Sequence, residues 1–173
     1  MDNFNVLIPG AGGPAGINTI KSLRLSLFKG NIVSTDSNSL SAGFFLSDFY
    51  YIIPPFNDKF FIEKLLKIIK EQNIKVLMPS SGFDIYGYST NYDLIVEAGA
   101  IPIVSRRNVL EICRDKLLSY KFLSNKVPFA FTWEYYEKMD TFPLIAKPRF
   151  GKGSNNIIKI ENKTQQPHEA SSW

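Results

Sequence analysis

The chain has 173 residues, 45% of them hydrophobic, and 20 Lys and Arg against 16 Asp and Glu, which is enough apolar material for one buried core and part of a second. Cys113 and His168 are the only residues of their kinds, so an internal disulfide, a cysteine metal cage and a histidine cluster are excluded, and a Ser/His/Asp triad is disfavoured. No apolar run approaches about 18 residues, no basic segment opens a secretory leader, and cations neither cluster nor interleave with aromatics; the expectation is a cytoplasmic protein with no membrane and no nucleic-acid partner.

Phe4-Asn5-Val6-Leu7-Ile8 predicts a strand that breaks at Pro9-Gly10. Gly10 to Gly16 then predicts a glycine turn and a helix start, with Pro14 suited to the first turn and Ile17, Ile20, Leu23 and Leu27 as the buried stripe. Gly10, Gly12 and Ala15 fit the G-x-G-x-x-A dinucleotide fingerprint, and the strand Asn31 to Asp36 ends in an acid where a ribose-binding carboxylate would stand. Three readings stay open for this turn: a dinucleotide site, an anion or substrate contact through Gly10, Gly12 and Gly13, and a purely structural turn.

Residues 41–57 are rich in aromatics, read as core, with a strand near Tyr50 to Ile53 after a short helix or loop. Phe60 to Gln72 predicts an amphipathic helix, and Ile74 to Met78 a strand that stops at Pro79-Ser80-Ser81-Gly82-Phe83-Asp84. A polar loop after a strand lies at the carboxyl edge of the sheet, which makes Ser80, Ser81 and Asp84 candidates for substrate contact; a helix N-cap uses the same residue types. A helix from Asp93 to Ala98, ended by Gly99, and a strand from Ile101 to Ser105 follow. Strands alternating with helices over residues 1–105 predict an α/β fold with a doubly wound parallel sheet.

Asn108 to Ser124 reads as one helix with Cys113 as buried filler. The positive excess lies in this half: residues 111–173 carry 10 Lys and Arg against 7 Asp and Glu, whereas residues 1–110 carry 10 against 9. Leu144-Ile145-Ala146 predicts a strand with Lys147 at its end, and apolar residues resume at Ile157, Ile158 and Ile160. The turn between them is built to hold an anion: Gly151 and Gly153 let successive amides point into one concavity, and Lys147, Arg149 and Lys152 surround it with positive charge. An ordinary basic hairpin is the alternative. Residues 162–173 are polar and aperiodic, as expected of a frayed tail.

Phe142-Pro143-Leu144-Ile145-Ala146-Lys147-Pro148, followed by Gly151-Lys152-Gly153-Ser154, resembles the ATP-grasp superfamily, and within it proteins like the carbamoyl-phosphate synthase large subunit. The resemblance covers about residues 4–161 and implies a Rossmann-like pre-ATP-grasp domain (1–105), a linking helix with the start of an α+β ATP-grasp subdomain (106–161), and a tail (162–173). It implies that Lys147, Arg149, Gly151, Lys152, Gly153 and Ser154 hold ATP phosphates, joined by Lys116 of the Asp115-Lys116 pair, for which a surface helix lysine is the alternative. Adenine-binding and Mg²⁺-binding residues of the family would lie beyond this chain. The expectation is therefore an N-terminal fragment, inactive alone, of a ligase that activates a carboxylate or bicarbonate as an acyl phosphate with Mg·ATP for attack by an amine or ammonia. Its partners would be ATP and a small-molecule substrate, with a homo-oligomer left open. The competing readings are a stand-alone NAD(P)-binding Rossmann module, carried by Gly10, Gly12, Ala15 and Asp36, and a non-catalytic regulatory domain.

Overall fold

Val6, Leu7 and Ile8 are all buried, a run with no polar face, as a strand covered on both sides requires. In the computed structural model, which describes residues 4–80, 82, 84–134, 141–151 and 155–165, they form β1 (Asn5–Pro9) at the centre of a five-stranded parallel sheet. The other strands are β2 (Ile32–Asp36), β3 (Phe49–Ile52), β4 (Ile74–Leu77) and β5 (Ile101–Pro102), in the order β3-β2-β1-β4-β5. The register sets Leu7 beside Val33 on one side and Leu77 on the other. The chain divides into two compact units, Met1–Arg107 and Asn108–Trp173. Of the residues singled out above, Ser81, Lys152, Gly153, Ser154 and His168 lie outside the described residues.

Strand alternation sorts the first unit into two cores. Val6 and Ile8 meet Ile20 of α1 (Pro14–Leu25) and Phe44 of a short 3-10 helix (Ala42–Leu46). Leu7 and Val33 meet the other face, built from Phe61, Leu65, Ile68 and Ile69 of α2 (Phe61–Glu71), Tyr88 of α3 (Ile85–Thr90) and Ile95 of α4 (Tyr92–Glu97). Each fully buried aliphatic or aromatic chain contributes roughly 1.5–3 kcal/mol, so the doubly wound sheet is held by side chains from both layers. Asn73 (φ 46°) and Gly99 (φ 107°) take the left-handed conformations that end α2 and α4 and release the chain into β4 and β5.

Three expectations change. Leu27 lies beyond the end of α1 and is exposed, so the stripe stops at Leu23. The aromatics of residues 41–57 divide evenly: Phe44 is buried and Tyr51 and Phe56 pack on the core, whereas Phe45 is exposed on the 3-10 helix and Phe49 and Tyr50 are exposed on β3, an edge strand with one neighbour; Tyr50 stacks on Phe44 at 4.7 Å. α3 was not legible, since Gly87 sits inside it; a Cβ there would meet the Phe56 ring side chain at 2.6 Å.

In the second unit the single helix expected over 108–124 is two, α5 (Arg107–Arg114) and α6 (Lys116–Leu123). Asp115 leaves the helical region (φ −97°, ψ 110°), and its carboxylate accepts from the amides of Leu117 and Leu118, so local capping displaces helix continuation. Cys113 is exposed rather than buried filler. Leu144 pairs with Ile160 and Ala146 with Ile158 in the antiparallel hairpin of β6 (Leu144–Ala146) and β7 (Ile158–Ile160). Among the described residues no helix is long and apolar enough to cross a membrane.

Candidate functional site

The glycine turn after β1 is drawn tight by its own backbone. Gly10 adopts φ 70°, and α1 packs so closely on it that a Cβ on Gly16 would sit 2.3 Å from the Gly10 carbonyl oxygen. Gly16, rather than the Ala15 of the fingerprint, is the close-contact position. Ala11 N–H donates to the Thr35 carbonyl (3.2 Å), Gly12 N–H to Asp36 Oδ2 (2.7 Å) and Gly13 N–H to the Gly10 carbonyl (3.1 Å). A phosphate would need those amides, and all three are spent within the chain. Asp36 uses its other oxygen to accept from Asn38 N–H at 2.9 Å. A carboxylate thus sits on the turn that Gly10, Gly12 and Gly13 were expected to offer to an anion.

Beside the turn, at the carboxyl ends of β1, β2 and β3, lies a cleft of about 260 Å³. Gly10, Gly13, Thr35, Asp36, Asp84 and Tyr88 border it, and among the described residues neither Lys nor Arg lines it. The Ser80 hydroxyl donates to the Pro9 carbonyl at 2.6 Å and ties the end of β4 to β1. Asp84 precedes α3 but makes no capping hydrogen bond, so its N-cap role is not realised. Burial, and then the Asp36 charge, push the Asp84 carboxyl above the ordinary carboxylate value. Burial foremost, then Asp84 and Asp36, push the Tyr88 phenol upward and keep it protonated.

Thr35 and Tyr88 are site residues that sequence reasoning missed. Thr35 lies two positions after Val33 and so leaves β2 on the face that carries Phe61 and Tyr88; it is fully buried, and its hydroxyl has no hydrogen-bond partner. The signal was a hydroxyl at a core-facing position of an otherwise apolar strand.

The loop after β6 has the opposite sign. Lys116, from the first turn of α6, reaches into it and donates from Nζ to the carbonyls of Pro148 (2.8 Å), Gly151 (3.3 Å) and Arg149 (3.4 Å), while its backbone N–H donates to the Arg149 carbonyl (3.2 Å). Lys116 is thus no simple surface lysine. The Arg149 guanidinium grips Asp115 through Nε (2.9 and 2.8 Å) and Nη2 (2.7 Å), and reaches Glu134 at 3.3 Å. That hydrogen bonding by Arg149, against the opposing effect of burial and helped by the Leu118 and Leu117 amides, holds the Asp115 carboxyl down at about 2. Arg149 therefore braces the loop, with its guanidinium paired to two carboxylates. Lys147 is exposed at the end of β6, and no described residue bonds its ammonium. Gly151 follows with φ 157°. Among the described residues of the chain no group of three or more His, Cys, Asp or Glu could hold a metal ion.

Residues 6–87, just under half of the chain, match the family described as PylC-like, N-terminal domain. The biotin carboxylase domain of the Hydrogenobacter thermophilus 2-oxoglutarate carboxylase, a dimer in complex with MgADP and bicarbonate, superposes with a TM-score of 0.68 at 18% identity, over 95% of this chain and 39% of that one. The first unit shares the fold of the corresponding part of that carboxylase domain. Staphylococcus aureus N5-carboxyaminoimidazole synthetase, complexed with ADP, gives 0.63 at 20% identity over 94% of this chain and 43% of that one. Rhizobium etli pyruvate carboxylase gives 0.65 at 14% identity over 94% and 16%. At such identities the likeness is one of fold, and the chain spans about two fifths of the length of the first two. No curated protein matches the chain significantly.

Proposed function

We propose that the chain is the N-terminal part of an ATP-grasp ligase that activates a carboxylate or bicarbonate as an acyl phosphate with Mg·ATP and passes it to an amine or ammonia, the chemistry of carbamoyl-phosphate-synthase-like proteins. The observation that carries this reading is the extent of the likeness: it runs over 94–95% of the chain, through the second unit as well as the pre-domain. A stand-alone NAD(P) module would leave residues 108–165 without a purpose, and the Gly12 amide that a dinucleotide's pyrophosphate would use donates to Asp36.

Phosphoryl transfer depends on charge positioned around the γ-phosphate. In this reading Lys147 presents that charge, and Gly151, Lys152, Gly153 and Ser154 close over the phosphates. Lys116 shapes the loop and meets phosphate only by exchanging one of its carbonyl partners. Mg²⁺ arrives with ATP, its carboxylate ligands belong to the part of the fold that this chain does not include, and 1–173 alone is inactive. The supply of ATP puts the reaction in the cytoplasm.

Thermal unfolding of 1–173 with Mg·ATP or NAD added separately tests the proposal, because a ligand raises the melting temperature only by preferring the native state. Mg·ATP is expected to raise it, Lys147→Ala to remove that rise, and NAD to have no effect. Stabilisation by NAD alone would overturn the reading; sustained release of ADP from Mg·ATP would overturn the inactivity of the fragment.

A further inference from the structure

The cleft of the first unit has acceptors and no cation. Asp36 and Asp84 both border it, no Lys or Arg among the described residues does, and the buried Thr35, whose Oγ1 has no partner, lines it with them. Burying a hydroxyl without a hydrogen-bond partner costs about 1–3 kcal/mol, so Thr35 Oγ1 marks a place for a polar partner, and its lone pairs can accept from a donor. We infer that the cleft binds the ammonium group of a small amine, held between the Asp36 and Asp84 carboxylates with Thr35 Oγ1 as the third acceptor.

Three acceptors suit an ammonium, which carries three N–H donors and accepts nothing. Asp36 retains lone pairs after accepting from Gly12 and Asn38, and no described hydrogen bond or ion pair uses the Asp84 carboxylate. An anion would face two carboxylates, with the amides of the glycine turn already spent. A hydrated Mg²⁺ can be held by one or two carboxylates, so it is the competing occupant that the MgCl₂ arm of the experiment separates from the amine. The remaining wall is apolar, from Ile53, Pro54 and Phe61, and suits an alkyl chain. At about 260 Å³ the cleft falls below the usual range for drug-sized ligands and fits a molecule of amino-acid size. For its place in a reaction this inference rests on the proposed function, in which the amine is the acceptor; the binding itself is a property of the first unit.

The experiment is a titration of the full chain, followed by backbone amide NMR, with n-propylammonium chloride, with sodium propionate as the anion of matching shape, and with MgCl₂, all at equal ionic strength. The amine is expected to give saturable shifts confined to the cleft residues Thr35, Asp36, Asp84 and Tyr88, and Asp84→Asn to weaken it by about tenfold. Matching shifts from propionate, shifts at these residues from Mg²⁺ but not from the amine, or amine shifts that neither saturate nor localise would overturn the inference. The contrast between amine and propionate is read on the unmutated chain, so it stands even if Asp84→Asn fails to fold. Amine binding without any response to Mg·ATP would count against the ligase reading and leave this one intact.

Discussion

Two glycine-containing loops read alike in the sequence, and their chemistry is opposite. At Gly10 to Gly13 the amides bond to Thr35, Asp36 and Gly10, and the nearest charges are carboxylates. At Pro148 to Gly151 the carbonyls gather a lysine ammonium, and Lys147 stands exposed beside them. Glycine gives a loop its shape but not the sign of its guest. The sign follows from where the amides and carbonyls are spent and from which side chains arrive from distant elements: Asp84 from the far side of β4 in one case, Lys116 from α6 in the other.

The largest expected effect breaks the first loop by sterics. Gly16→Ala puts a Cβ against the Gly10 carbonyl, a backbone atom that cannot swing aside, and should cost about 3 kcal/mol in urea unfolding. Gly13→Ala is the control: its Cβ would meet only the Gly10 carbonyl at 3.5 Å, an ordinary contact, and the cost should stay below about 1 kcal/mol. Equal costs would mean that the turn is not held by the close packing of α1. The second loop breaks electrostatically. Asp115→Ala removes both the cap of α6 and the partner of Arg149, and should cost about 2 kcal/mol. Asp115→Asn keeps a capping oxygen and should recover part of that loss; a variant as stable as the parent chain would show that Arg149 is not braced by this pair.

Apolar patterning carried the sheet, because each central strand is a short unbroken run and α2 has a clean stripe. The division at Asp115 was not legible, since Val109, Ile112, Leu117 and Tyr120 keep helical spacing through it; the break comes from a side chain that caps two amides and is fixed by Arg149, 34 residues away in sequence. At the sites, the sequence brought Lys116 to the loop of Lys147 only through a family resemblance. It could not tell that Arg149 is spent on Asp115, or that Asp36 occupies the glycine turn, because both are pairings between distant residues. Thr35 and Tyr88 were passed over because a strand threonine and a helix tyrosine have many ordinary uses.

The smallest effect, and the one that most sharpens the contrast, is the response to acid. Asp115 has its folded value lowered from 3.8 to about 2, so the stability it contributes is present above about pH 4 and is lost as the pH falls through about 2. Asp84 is raised above 3.8, so ionising it works against the folded state; relative stability is present below 3.8 and is lost as the pH rises through the folded value. Asp84→Asn should therefore raise the melting temperature modestly at pH 7, and the gain should vanish as the solution is taken below pH 3.8, where the aspartate is protonated anyway. A gain that persists unchanged at low pH would place its origin in packing rather than in charge. An n-propylammonium concentration that raises the melting temperature of the unmutated chain at pH 7 should give a smaller rise in Asp84→Asn, because stabilisation follows RT ln(1 + [L]/Kd) and the variant binds about tenfold more weakly.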